Sequence, residues 1–386
     1  MRIAVRAFAV TALVALAAPA TAHAADGWEL PAMSVPAAHA VSKGDGVTVA
    51  VIDTGVRTGH PALAGRASEG PDFMQENDKD QPWYGRHGTS MASSVLDVAP
   101  GAKVLGLRAI RDREDPKYVR WQDQIGKSDP SSKGVDSVAK AIRYATDNGA
   151  RVISMSLGTD TPFAAYQSSE ADAVTYALSK GVVVIASLGN EGDEDNPVAY
   201  PAAYPGVLTV AASTPDGSRA PFSSVHSYAD VAAPGVAIYG ADISGGRKRV
   251  NGTSSAGALT AGVAALIVAK YPGLAPRQVE QLLQRTASTA SAGHNPLTGY
   301  GVVNAAGALK AAAALTPESA VLPVRKDKPA EHFGQGDDGT PRMTNVPIEM
   351  EYIAMGAVFG VPGLLAIVIG WLLRRSGKKM LAAAPR

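Results

Sequence analysis

Val47-Thr48-Val49-Ala50-Val51-Ile52-Asp53-Thr54-Gly55 is a run of β-branched and small apolar residues that stops at a carboxylate and a glycine. Such a run predicts a short strand buried on both faces. Working outward, similar runs recur at residues 103–107, 151–156, 182–186 and 207–212. Between them, residues 134–148 and 171–179 carry helical spacing and stop at Gly149 and Gly181. Two-sided apolar strands alternating with helices imply an α/β domain, with a mainly parallel central sheet and helices on both faces. Sheets of this kind place ligands beyond the carboxyl ends of their strands, so chemistry is expected just after these runs.

The chain has 386 residues, 46% of them hydrophobic and 18% charged, which fits a globular protein with a sizeable core. A formal net charge of +1 and the lack of a basic stripe argue against a nucleic-acid partner. Cysteine is absent, which excludes a disulfide framework, a thiol nucleophile and cysteine-based metal sites. His39, His226, His294 and His332 lack partners at metal-ligand spacing, and His60 in Gly59-His60-Pro61 reads as a turn residue. The acidic cluster Glu191, Asp193, Glu194 and Asp195 lacks the calcium-loop pattern and reads as a solvated loop. No metal and no cofactor are expected. Residues 112–115 and 117–127 form a charged insertion that reads as a mobile surface loop, with a partner-binding role left open.

Both chain ends carry membrane signals. Arg2 and Arg6 precede a short apolar run over 7–20, and Ala22-His23-Ala24 is a small-x-small cleavage site, so residues 1–24 read as a secretory signal peptide. Residues 352–373 are uncharged, long enough to cross a bilayer as a helix, and flanked by Tyr352 and Trp371. Arg374, Arg375, Lys378 and Lys379 follow, which by the positive-inside rule predicts a cytoplasmic tail over 374–386. The folded domain is then expected over 44–314, outside the cell membrane, after a short N-terminal extension over 25–43. Residues 315–351, rich in Pro, Gly, Lys and Asp, read as a flexible linker.

Three segments point to nucleophilic catalysis. Asp53 ends the first strand, His87 lies in Gly85-Arg86-His87-Gly88-Thr89, and Ser254 lies in Asn251-Gly252-Thr253-Ser254-Ser255-Ala256. A hydroxyl attacks poorly at neutral pH unless a base takes its proton. An imidazole serves as that base, and a buried carboxylate orients it and stabilises its cation. The small and apolar residues after Ser254 predict a helix starting there, whose free N–H groups favour a developing oxyanion. Asn190, in Gly189-Asn190-Glu191-Gly192 beyond the 182–186 strand, supplies a second oxyanion donor. Each motif alone is common, and Gly-Thr-Ser by itself reads as an N-cap. The four together, in this order and at element ends, are specific.

These segments resemble the signature motifs of the subtilase family of serine proteases, over roughly residues 44–309. The resemblance implies a subtilisin-like fold, a serine endopeptidase activity on peptide or protein substrates, and an Asp53–His87–Ser254 triad. It also implies that Ser156, Leu157 and Gly158 are a backbone strand that pairs with the substrate by β-augmentation, and that Tyr200-Pro201 is cis. A narrower likeness is to the mycosins, subtilases of type VII secretion in actinobacteria. Gly27-Trp28-Glu29-Leu30, Val41-Ser42-Lys43-Gly44, the short N-terminus and the single C-terminal membrane helix carry it. That likeness implies work at the cell envelope beside type VII secretion machinery. Two departures stand out: a surface loop after His87 is shortened, and Ala258 occupies a usual proline position.

Two rival readings remain at this stage. One is a non-catalytic, stabilising component of a secretion complex. The other is an esterase-like acyl hydrolase, disfavoured because Gly-x-Ser-x-Gly is absent and the order of the triad differs.

Overall fold

The computed structural model describes residues 27–121, 136–158, 166–289 and 292–320. The expected signal peptide, membrane helix and tail, and the expected linker beyond residue 320, lie outside the described residues.

The strands are β1 Thr48–Asp53, β2 Ala67–Asp72, β3 Lys103–Arg108, β4 Val152–Met155, β5 Val183–Ser187, β6 Leu208–Ser213, β7 Val231–Pro234, β8 Ile238–Ala241 and β9 Arg247–Val250. The α-helices are α1 Glu29–Ala32, α2 Val35–Ala38, α3 Arg86–Val98, α4 Ser137–Asp147, α5 Ser168–Ser179, α6 Thr253–Lys270, α7 Pro276–Thr286 and α8 Ala305–Ala312. Seven strands form one parallel sheet in the order β2-β3-β1-β4-β5-β6-β7, and β8 and β9 make a separate antiparallel pair. The expected α/β architecture with helices on both faces is observed.

Strand alternation explains how one sheet feeds two cores. In β1, Val49 and Val51 pack with α3 and α6, while Ala50 and Ile52 pack with α4. In β5, Val183 and Ile185 join the first core, and Val184 and Ala186 join the second. Helix α6 is apolar enough to cross a membrane by composition, but it is 83% buried inside the domain. It is the central core helix.

Two elements escape sequence reasoning for physical reasons. Strand β2 reads Ala-Ser-Glu-Gly-Pro-Asp and has no apolar face. It is the edge strand beside β3, where a proline is tolerated. Helix α3 is rich in Ser, Thr and Gly, so its sequence carries little apolar signal. It crosses α6 closely where that helix carries Gly262: a Cβ on Gly262 would come within 2.5 Å of Val98 Cβ.

The N-terminal extension belongs to the fold. Met33, Val35 and Ala38 are fully buried, Trp28 Nε1 donates to Val236 O at 3.0 Å, and Ala305 N donates to Met33 O at 2.8 Å. The charged insertion needs a correction. Its first part is not a mobile surface loop, since Asp112 and Asp115 are buried together with Arg108 and Arg111. Arg108 reaches Asp72 at 3.2 Å and also pairs with Asp78, and Arg111 reaches Asp115 at 2.6 Å and also pairs with Glu76. A buried charge is tolerable only when paired in this way. Residues 122–127 of the insertion lie outside the described residues.

Candidate active site

Parallel β1 and β4 end side by side, and β5 lies next to β4, so their carboxyl ends open onto one cleft. The cleft has a volume of about 650 Å³, and His87, Ser254, Asn190, Ser156, Leu157 and Gly158 all line it. Every sequence-predicted site residue except Asp53 faces this cavity. Asp53 lies beneath it, fully buried.

Asp53 is the last residue of β1. Its Oδ1 accepts the Thr54 N–H at 2.7 Å, and its two oxygens meet His87 Nδ1 at 2.8 and 3.0 Å. His87 sits in the first turn of α3, which Gly85 opens in the left-handed conformation at φ +67°. Gly88 must be glycine here, because a Cβ would come within 2.1 Å of Gly55 O. The neighbouring N–H of Gly88 donates to Thr54 Oγ1 at 3.1 Å, which ties the start of α3 to the end of β1. Burial disfavours the charged imidazole, but the Asp53 carboxylate, by charge and hydrogen bond, outweighs it, and Asp112 adds to the effect. The His87 pKa is therefore raised above its ordinary value.

Ser254 lies in the first turn of α6, behind Gly252 at φ +155° and ψ +153°, a region open essentially to glycine alone. Its N–H is among the orphan donors of a helix start. The Ser254 hydroxyl and the His87 ring share the cleft without a hydrogen bond between them. Apo sites commonly leave this contact long, and it tightens when substrate binds. Asn190 Oδ1 accepts from the Thr253 N–H at 2.9 Å and the Thr253 hydroxyl at 3.0 Å. The amide is thereby fixed with Nδ2 as the atom left to donate.

Residues 156–158 extend beyond β4 and have no backbone hydrogen bond to the described chain, which leaves their N–H and C=O groups available along one wall. Ser156 Oγ donates to Ser254 O at 3.0 Å and couples this wall to the start of α6. The Tyr200–Pro201 peptide is cis. His60 caps the short helical turn Pro61–Leu63, accepting from Ala62 N at 3.1 Å, and is structural.

Residues 44–302 match the Subtilase family (Peptidase_S8). The chain belongs to the subtilase family. Among relatives of this subtilase, Subtilisin Savinase of Lederbergia lenta is 34% identical over 279 residues, covering 72% of this chain and 96% of its own. Thermitase of Thermoactinomyces vulgaris is 33% identical over 284 residues, covering 71% and 92%. Among solved structures, MycP1 from Mycobacterium smegmatis superposes with a TM-score of 0.65 at 25% identity, covering 81% of this chain and 91% of its own. The MycP3 protease from the type VII (ESX-3) secretion system gives a TM-score of 0.63 at 28% identity, covering 75% and 90%. The chain is a subtilisin-like serine endopeptidase with mycosins among its structural neighbours.

Two residues at this subtilase site were missed by motif reading, and Ser156, expected to use its backbone, also uses its side chain: Ser156 Oγ holds the Ser254 carbonyl. Thr253 fixes the Asn190 amide. Asp112 Oδ2 accepts the backbone N–H of His87 at 3.0 Å. Asp112 follows the carboxyl end of β3, so the strand-end rule that singled out Asp53 could have flagged it.

Proposed function

We propose that Ser254 is the nucleophile, His87 the general base and acid, and Asp53 the carboxylate that orients the ring. The observation that carries this reading is the contact of His87 Nδ1 with both oxygens of the buried Asp53, with Ser254 in the same cleft. With Nδ1–H held by Asp53, the opposite nitrogen Nε2 is left as the proton acceptor. It takes the Ser254 proton as Oγ adds to the scissile carbonyl. The developing oxyanion receives hydrogen bonds from Asn190 Nδ2 and the Ser254 N–H. The imidazolium then protonates the leaving amine, and water hydrolyses the acyl-enzyme by the reverse sequence. The free backbone edge over 156–158 supports pairing with the main chain of the substrate. No cofactor enters any of these steps.

The test is peptide hydrolysis by Ser254→Ala. Residual rate comparable to the wild-type protein would reject the assignment, whereas the expected loss is on the order of 10⁶-fold in kcat.

The finer reading is a secreted enzyme held in the cell membrane by residues 352–373, with the protease domain outside the cell, working beside type VII secretion machinery. The signal-like N-terminus, the apolar C-terminal run and the structural likeness to MycP1 and MycP3 support it. In a deletion strain, protein export restored by wild type but not by a chain lacking 352–386 is the expected outcome. Export that needs neither the anchor nor the enzyme would reject the association.

A further inference from the structure

Helix α3 carries the base of the triad but starts on a residue that cannot cap it. Gly85 occupies the N-cap position at φ +67° and has no side chain to offer. A helix start leaves backbone N–H groups without partners inside the helix. Here they are met from outside. Arg86 N donates to Trp83 O at 3.2 Å, His87 N to Asp112 Oδ2 at 3.0 Å, and Gly88 N to Thr54 Oγ1 at 3.1 Å. Asp112 therefore stands in for the missing cap at the very residue that moves the proton, and its charge suits the positive end of the helix.

Asp112 is 4% exposed and lies in the segment beyond the carboxyl end of β3. Glu114 of the same segment holds it, and both acids line the cleft. The Glu114 carboxyl is raised above the usual carboxylate range, first by its hydrogen bond to the Asp112 side chain, then by burial and the Asp112 charge, against its own backbone N–H and Arg86. Two carboxyl groups hydrogen-bond only when one carries a proton, so protonated Glu114 donates and Asp112 accepts. Glu114 also reaches back to the helix, with Oε1 3.5 Å from Arg86 Nε. The two acids thus grip consecutive residues of the first turn, Asp112 at His87 and Glu114 at Arg86. The remaining charges are few. His87 faces Asp53 from β1 and Arg113 from the Asp112 segment, while Arg86 lies 3.9 Å from Asp242, which meets Lys248 of β9 at 3.6 Å.

We propose that Glu114 is a positioning residue of the active site: it holds Asp112 and Arg86 together, clamps the first turn of α3, and so fixes the His87 imidazole against Asp53. The inference rests on the reading of His87 as the general base. Glu114 acts through Asp112 and takes no part in bond making.

The test follows the His87 titration in the full-length chain in two ways. One is the acid limb of the pH–kcat/KM profile on a chromogenic peptide. The other, without turnover, is the ring-carbon resonance of His87 in Ser254→Ala. Glu114→Ala and Glu114→Gln are compared with wild type, each also combined with Asp112→Asn. Glu114→Ala removes both contacts, so Asp112 relaxes from the helix start and its contribution to the raised His87 value is lost. The titration should move to lower pH by at least about 0.5, with kcat down roughly three- to ten-fold. Glu114→Gln keeps a donor for Asp112 and an acceptor for Arg86 without the charge, so its titration and kcat should stay near those of wild type. Once Asp112→Asn is present, Glu114→Ala should add nothing further. A titration that Glu114→Ala leaves unmoved in both readings overturns the inference. So does one that Ala and Gln move equally, which would make Glu114 a charge and not a clamp, or one that moves additively with Asp112→Asn. A kinetic limb that moves while the resonance stays overturns it as well. A resonance that follows Glu114 beside a kinetic limb that does not would sink the assignment of His87 as the base and leave the clamp standing.

Discussion

Gly88→Ala tests how tightly the start of α3 is seated on the end of β1. A methyl group at this position would lie 2.1 Å from Gly55 O, 3.1 Å from Asp53 Cβ and 3.2 Å from Asp53 Oδ1. Restoring an ordinary carbon–oxygen contact of roughly 3.2 Å requires a displacement of about 1 Å in a close-packed interior. Nothing flexible is available to move, because the obstacle is backbone and a buried carboxylate. The turn that carries His87 must therefore lift away from Asp53, losing contacts now at 2.8 and 3.0 Å. A misplacement of about 1 Å costs on the order of 10²-fold in rate. Overpacking of this kind costs roughly 1–3 kcal/mol in stability. At about 2–4 °C per kcal/mol for a domain near this size, the melting temperature falls by roughly 2–12 °C. The assay is kcat/KM on a chromogenic peptide beside a calorimetric melting curve. Gly59→Ala is the control, since a Cβ there meets nothing within 4 Å, and its effect should stay within about 0.5 kcal/mol. A Gly88→Ala protein with wild-type kcat/KM and an unmoved melting temperature would refute the seating argument.

Three further outcomes follow from the charged groups around the cleft. Asp112 is a positioning residue whose charge helps raise the His87 pKa, so Asp112→Asn should move the acid limb of the pH–kcat/KM profile to lower pH; a limb that stays or rises contradicts this. Arg108 is 2% exposed and pairs with Asp72 and Asp78, so Arg108→Met should cost about 3–5 kcal/mol in urea unfolding, and a loss under about 1 kcal/mol would be incompatible with a buried network. Burial pushes the Glu170 carboxyl up to about 7, Tyr204 opposing and Asp136 adding to the rise. Because the folded-state value lies above that of the unfolded chain, this group's contribution to stability is full below about pH 4.3 and is lost as pH rises through 7. Glu170→Gln should flatten the fall in unfolding free energy between pH 5 and 7, and an unchanged slope would speak against the burial.

Much of the framework was legible in the linear chain. Strands β1, β3, β4, β5 and β6 announce themselves because both their faces are buried, so each is a continuous apolar run. Helices α4 and α5 show their spacing and their glycine stops. Asp53, His87, Asn190 and Ser254 stand in short motifs whose residue types and order point, before any coordinate is known, to the chemistry proposed for them. Strand β2, helix α3 and the β8–β9 pair did not show, because their stability comes from neighbours and not from a local pattern.

Tertiary structure alone decided the rest. Sequence reads charge as solvent-facing, so residues 112–115 looked like part of a surface loop until Asp112 was seen to accept the His87 N–H, 25 residues distant in the chain, and Asp115 to pair with Arg111 in a buried cluster. Likewise nothing local reveals that Thr253 clamps Asn190, that Met33, Val35 and Ala38 join the core, or that Glu170 is buried in the lining of the cleft. Periodicity and motif report what a residue's immediate neighbours dictate, whereas the cost of burying a charge and the aim of a side chain depend on groups that only folding brings within a few ångströms.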